Sequence, residues 1–318
     1  LNTEGEILWF NRKATELLGL RRKTDYGIRI ENLIRHPDFS RYVDAGQFSG
    51  PGVLRPKVGE DRWLSIQAIP YGDGQMLLLV RDVTRQNRLE TMRKDFVANA
   101  SHELRSPLTV IAGYLETLAA DPELPRDLQP PLQEMQRQAG RMTTIISDLL
   151  ELSRLEASDE RVVGAPVDVA ALAATLRKDV LARPTRPADV KVVIESSEPL
   201  IGDVGLLHSA FYNLVDNAAK YTPPEGSMQL RWWTDASGGH FAVSDTGPGI
   251  PAEHLPRLTE RFYRVDPGRS RATGGSGLGL AIVKHVLHRH GAELEVASTP
   301  GKGSTFTCHF PARRLARG

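Results

Sequence analysis

The stretch Asp95-Phe-Val-Ala-Asn-Ala-Ser-His102-Glu-Leu-Arg-Ser-Pro107-Leu-Thr-Val110 decides how this chain is read. Leu104, Leu108, Ile111, Leu115 and Leu118 recur at alternating steps of four and three. That is the seam of a helix packed lengthwise on another helix. Counting back puts Ser101 and Val97 on the seam, so His102 falls beside it, facing water or a docking partner. Pro107 has no N–H for the Glu103 carbonyl, and a kink is expected just after the histidine. A histidine next to a glutamate on a helix is, by itself, usually only a solvated face.

Working outward, residues from about 85 to 120 read as one long helix, broken by Asp121-Pro122 and Pro125. A second helix is expected from near Pro130 to about Ala157. Its seam is Leu132, Met135, Ala139, Met142, Ile145/Ile146, Leu149 and Leu152. Two long seams joined by a short polar loop make an antiparallel hairpin. Such a hairpin buries too little surface to stand alone, so pairing with a second copy into a four-helix bundle is expected.

Upstream, residues 1–84 read as a small α+β module. A strand is expected at Ile7–Phe10 and a helix from Asn11 to Leu20, ending at Gly19. A short helix holds Leu33 and Ile34 and stops near Pro37. Strands are expected at Val53-Leu54, Trp63–Ile69 and Met76–Val80, the second with Leu64, Ile66 and Ala68 inward. His36, a lone histidine before a proline, is read as ordinary surface and not as a haem ligand. Downstream, the polar run 158–166 is a linker. Beyond it helices are expected at 169–182, 203–220 and 279–290, and strands at 190–195, 228–234, 241–244, 294–298 and 305–310. Balanced helices and strands predict a two-layer α/β sandwich.

Composition sets bounds. The chain has 318 residues, room for two or three domains, and a formal net charge of +1, so charge calls for neither nucleic acid nor an anionic membrane. The single cysteine, Cys308, excludes an intrachain disulfide and reads as a small core residue. No apolar run approaches the roughly 20 residues that span a bilayer.

Four motifs follow one another in the last domain. Asn213-Leu-Val-Asp-Asn217-Ala-Ala-Lys220-Tyr221 puts Asn213, Asn217 and Lys220 on one helical stripe, with Leu207, Ala210, Leu214 and Ala218 on another. The polar trio should face a cavity while the apolar stripe faces the core. An amide oxygen suits Mg²⁺, and a lysine offsets phosphate charge. Asp245-Thr-Gly247-Pro-Gly249 ends a strand in a carboxylate and a glycine turn. A carboxylate there accepts a hydrogen bond from the adenine amino group and leaves guanine's carbonyl unpaired, so ATP is expected over GTP. Glu260-Arg-Phe-Tyr-Arg264 is an aromatic and basic cluster. Gly274-Gly275-Ser-Gly277-Leu278-Gly279 leads into a helix whose N–H groups suit phosphates. The polar span 265–276 is expected to form a mobile lid.

The string around His102 resembles the H-box of sensor histidine kinases, and the four downstream motifs resemble the N, G1, F and G2 boxes of their ATPase domain. Residues 1–84, ending in Asp82-Val-Thr84, resemble a PAS sensor domain, and the phosphate-regulon sensor kinases are the nearest type. The resemblance implies a multidomain α+β fold: a PAS-like domain over 1–84, a dimerisation and histidine-phosphotransfer hairpin over 85–160, and a catalytic ATP-binding domain over 161–318. It implies His102 as phosphoryl acceptor, with Glu103 orienting the ring and taking its proton. It also implies Mg²⁺ on Asn217 with Asn213 in support, and phosphate contacts from Lys220 and Tyr221. Asp245 would hold adenine, with Gly247 and Gly249 shaping its pocket. Arg264 would reach the γ-phosphate side, with Gly275, Gly277, Leu278 and Gly279 around the phosphates. The implied partners are a second copy and the aspartate of a response regulator. The chain starts Leu1-Asn2-Thr3, so a soluble piece of a sensor anchored at the bacterial inner membrane, its anchor upstream, is expected.

The pattern departs from the family twice. Thr259 stands where a phenylalanine usually precedes Glu-Arg-Phe. Ser106 stands where kinases that also dephosphorylate their partner often carry Thr or Asn, although a serine hydroxyl there is able to orient water. Two rivals use the same residues differently: a chaperone- or topoisomerase-type ATPase, which has no histidine hairpin upstream, and a non-catalytic PAS/coiled-coil adaptor, which has no use for Asn217, Asp245 and the glycines.

Overall fold

Asn11 begins the first helix because its side chain takes the Ala14 N–H (2.9 Å), and Gly19 ends it in the left-handed conformation. This helix, α1 (Arg12–Leu18), is followed by α2 (Ile30–Leu33), α3 (Pro37–Asp44), and strands β1 (Gly52–Leu54), β2 (Leu64–Tyr71) and β3 (Gln75–Asp82). The computed structural model describes residues 1–44, 52–54, 62–72, 74–121, 124–157, 162, 164–265 and 275–316. Of residues 41, 43, 44, 93–96, 98 and 102 it describes the backbone only. The chain divides into residues 1–93 and 94–318, each with its own core.

In the first unit β1–β2–β3 form an antiparallel sheet over a core of Ile7, Phe10, Leu20, Ile30, Ile34, Phe39, Leu54 and Ile66. Two expectations are corrected here. Ile7–Phe10 is not a ladder strand: the Ile7 amide and carbonyl bond Ile28 and Gly27, burying Ile7 and Phe10 while Leu8 and Trp9 face out. Pro37 opens a helix instead of stopping one, because the missing N–H of proline costs nothing in a first turn. At the unit's end the Thr84 hydroxyl accepts the Trp63 N–H (2.9 Å) and Asp82 accepts the Thr84 N–H (2.9 Å). Hydrogen bonds from the Thr84 hydroxyl and then from its amide hold the Asp82 carboxyl below its ordinary range.

Helix α4 (Thr84–Ala119) continues without a break through Pro107, and α5 (Gln129–Ala157) follows it. Leu108 and Leu115 of α4 meet Leu132, Ala139 and Ile146 of α5 in one apolar cluster. The seam divides by sevens. Ser101, Leu108 and Leu115 are buried, as are Leu132, Ala139 and Ile146. The alternate layer, Leu104, Ile111, Leu118, Met135 and Met142, lies 49–52 % exposed.

The expected linker 158–166 is partly a strand. β4 (Ala165–Val167) pairs antiparallel with β6 (Leu200–Gly202), Pro166 being tolerated because this two-stranded ribbon is all edge; residues 158–161 and 163 lie outside the described residues. Helix α6 (Val169–Leu181) is capped by Asp168, and α7 (Val204–Tyr221) by Asp203, whose carboxylate takes the Leu206 N–H. With α8 (Gly279–His290) they cover one face of a five-stranded mixed sheet. Its order is β5 (Asp189–Ile194), β7 (Ser227–Thr234), β8 (Gly238–Asp245), β10 (Gly303–Pro311), β9 (Glu293–Thr299). Phe211 of α7 stacks on Phe241 of β8 at 3.9 Å between ring centres and meets Phe310 edge-on. Cys308 is fully enclosed in β10, and burial pushes its thiol pKa up.

His290 fastens α8 to the start of α7. Its Nδ1 lies 2.7 Å from the Val286 carbonyl and its Nε2 accepts the Asp203 N–H at 3.2 Å, which fixes a neutral ring with the proton on Nδ1. Burial lowers its pKa below the ordinary 6.5. The unfolded chain therefore takes up a proton that the folded one refuses, and stability present above pH 6.5 is lost as pH falls below it. Thermal melts of the full chain should show Tm falling from pH 7.5 towards acid, less steeply in His290→Gln. Phe211→Ala should cost about 3–5 kcal/mol in denaturant melts.

Candidate functional site

Helix α7 carries its two stripes into two environments. Leu207, Ala210, Phe211, Leu214 and Ala218 are buried in the core. Asn213, Asn217 and Lys220 line a cavity of about 400 Å³. The core contacts leave the helix no freedom to roll, so they aim the polar stripe.

The Asn213 amide nitrogen donates to the Ser209 carbonyl at 3.0 Å, which turns its oxygen towards Gly279, the first residue of α8. A Cβ on Gly279 would stand 2.4 Å from that oxygen, so a larger residue there would displace the Asn213 side chain from this position. Lys220 pairs with Asp216 one turn back (2.7 Å), and Arg183 reaches the same carboxylate (3.0 Å). Asp216 lines the cavity too. It stands inside the quoted motif, four residues before Lys220, so an (i, i+4) reading would have found it.

Asp245 ends β8 at the other side of the cavity. Its Oδ1 accepts the Gly247 N–H at 2.7 Å, and burial outweighs that bond and raises its pKa. Gly249 lines the same wall with φ +68, where a Cβ would collide with the Thr299 carbonyl. Gly247 and Leu278 do not line the cavity: Gly247 lies buried beneath Asp245, and Leu278 is a core residue at the start of α8. Tyr221, Arg264, Gly275, Gly277 and Gly279 line it as well, and the Arg264 guanidinium donates to the Gly275 carbonyl.

Below this, the third motif is firmly built. The His254 ring bonds the Tyr263 hydroxyl (2.6 Å), Arg257 lies 4.2 Å over the Tyr263 ring, and Arg257 pairs with Glu260 (3.0 Å). Phe262 has φ +62, and its N–H donates to the Gly277 carbonyl at 2.8 Å, tying this motif to the glycine loop. Thr259 packs no aromatic ring, but its neighbour Leu258 is buried in the main core and anchors the segment in its place. The expected lid falls largely on 266–274, outside the described residues.

On the hairpin, Glu103 and Ser106 are exposed on α4. The His102 backbone is helical, and its side chain lies outside the described residues. Sequence reading missed Thr144 and Asp148 of α5, which form one wall of the cavity. Nothing in their spacing marks them, because the wall is made by α5 packing on α8, with Leu152 and Leu155 sunk in the same core.

The donor set suits a hard cation: amide oxygens at Asn217 and Asn213, with phosphate and water oxygens left to fill the remaining positions. Among the described residues no helix is long and apolar enough to cross a membrane.

Three family descriptions match the chain in order. Residues 1–83 match the PAS fold, 92–158 the His Kinase A (phospho-acceptor) domain, and 202–314 the histidine kinase-, DNA gyrase B- and HSP90-like ATPase. The phosphate regulon sensor protein PhoR of Pseudomonas aeruginosa is 52% identical over 321 residues, spanning 99% of this chain and 72% of that protein. PhoR of Haemophilus influenzae is 36% identical over 317 residues, 97% of this chain and 72% of its own length. The crystal structure of full-length ShkA in complex with AMPPNP superposes with a TM-score of 0.56 at 26% identity, covering 70% of this chain and 46% of that one. Since a relative aligned over 99% of this chain is 52% identical to it, the chain belongs to the phosphate-regulon sensor family of histidine kinases, ATP-binding enzymes that signal to a response regulator.

Proposed function

We propose that ATP bound in the α7–α8 cavity phosphorylates His102, and that the phosphoryl group passes from there to an aspartate of the response regulator. The observation carrying this reading is the convergence of Asn217, Lys220, Asp245 and the Gly275–Gly279 loop on one cavity. The division into 1–84, 85–160 and 161–318 belongs to the same proposal and is supported by the order of the family matches.

Phosphoryl transfer asks for in-line placement and charge neutralisation more than for covalent help. Asp245 accepts the adenine amino group and selects ATP. Asn217 would hold Mg²⁺ with Asn213 in support, and Lys220, Tyr221 and Arg264 take the phosphate charge. Held there, the cation would supply further neutralisation of that charge. One nitrogen of neutral His102 attacks the γ-phosphorus, the bond to the ADP oxygen breaks, and Glu103 receives the proton from the other ring nitrogen. Ser106, exposed one turn along, would orient a water for hydrolysis of the regulator's phosphoaspartate.

A second copy of the chain completes the stem. The half-exposed layer Leu104, Ile111, Leu118, Met135 and Met142 repeats every seven residues on both helices. Facing another hairpin, it forms the remaining seam of a four-helix bundle.

Incubation with γ-labelled ATP and Mg²⁺ should give protein-bound label that is acid-labile and base-stable, and absent in His102→Gln. Free phosphate without protein label would support the plain ATPase instead. Asn217→Ala should lower labelling at least ~100-fold; full retention would remove it from the cation site. Ile111→Glu should shift the chain from dimer to monomer in sedimentation while leaving AMPPNP binding intact.

A further inference from the structure

Three consecutive residues of the third motif, Phe262, Tyr263 and Arg264, form a strap beside the glycine loop. The Phe262 N–H donates to the Gly277 carbonyl at 2.8 Å, and the Arg264 guanidinium donates to the Gly275 carbonyl. Tyr263 is tied the other way. Its hydroxyl shares a hydrogen bond of 2.6 Å with His254 Nδ1. Phe262 stands at φ +62, a conformation costly for any residue but glycine. Its ring is exposed, so burial does not hold it there. The ties on either side do.

His254 stands outside the cavity lining, on the 3₁₀ turn Ala252–Arg257. That turn is fixed to the sheet just before it begins, where the Ile250 N–H donates to the Ser298 hydroxyl of β9 at 2.8 Å. Arg257, on the same turn, lies 4.2 Å over the Tyr263 ring and is itself paired with Glu260. The second ring nitrogen of His254 lies 3.6 Å from the exposed Glu253 carboxylate. The phenol is thus gripped at its hydroxyl by His254 and on its face by Arg257. Tyr263 lines the cavity with Ile250 and Leu258, and Arg264, the next residue, lines it with the glycines. Fixing the phenol fixes the backbone from which Arg264 departs.

We infer that His254 is a positioning residue for phosphoryl transfer: through the Tyr263 hydroxyl it sets the backbone from which Arg264 reaches the terminal phosphate. The line of contacts runs from β9 through Ile250, His254 and Tyr263 to Arg264 and the Gly275 carbonyl. This inference rests on the nucleotide reading of the cavity.

The test is calorimetric binding of AMPPNP and of ADP, each with Mg²⁺, to the full chain. His254→Leu keeps the bulk and removes the tie. Tyr263→Phe removes the hydroxyl alone, leaves the ring, and carries the test if His254→Leu does not fold. Each should weaken AMPPNP about fivefold with ADP unchanged. The double variant should be no weaker than either single one, because both remove the same bond. His254→Asn puts a polar atom in the place of Nδ1 and should bind AMPPNP as the unsubstituted chain does. Equal weakening of both nucleotides overturns the inference, since a merely structural loss would not separate them. Unchanged AMPPNP affinity in Tyr263→Phe, additive losses in the double variant, or a His254→Asn as weak as His254→Leu overturns it as well. If the unsubstituted chain binds neither nucleotide, the nucleotide reading fails and takes the inference with it.

Discussion

The site depends on a single constraint: α7 cannot rotate. Leu207, Ala210, Phe211 and Leu214 are wholly enclosed, and Phe211 is gripped between Phe241 and Phe310 of the sheet. A helix turns by about 100° per residue, so fixing the apolar stripe fixes every polar residue on it. Asn213, Asn217 and Lys220 reach the cavity for that reason and need no separate support from a loop. At its N-terminal end the helix is tied to α8 through the neutral His290 ring.

Much of this was legible in the sequence because the signals were local. The spacing of Asn213, Asn217 and Lys220 against Leu207, Ala210 and Leu214 is a property of any α-helix. The glycine turns at Gly249 and Gly279 announce close approach. The hairpin seam was equally plain, although the sequence could not say which layer faces inward: Leu108 and Leu115 close the hairpin, while Leu104 and Ile111 look outward. That choice is made by how two helices roll against each other, and a heptad pattern is symmetric to it.

What could not be read came from contacts between distant segments. Ile7–Phe10 has the residues of a strand, yet its hydrogen bonds go to a loop twenty residues on, and no ladder forms. Leu258 takes over the anchoring that Thr259 gave up, a compensation visible only once the core is seen. Asp148 reads as one more polar residue on an amphipathic helix. Its meaning is set by the packing of α5 on α8, separated from it by more than a hundred residues.

Cys308 carries one more consequence. It is the chain's sole cysteine, and it sits on an inner strand of the five-stranded sheet with no access to water. Thiol-selective oxidants and alkylating reagents therefore find no sulfhydryl to react with while the sheet is intact. The rate at which a maleimide captures that sulfur reports how often the sheet opens, giving the nucleotide domain a built-in clock for its own breathing, read without adding a label.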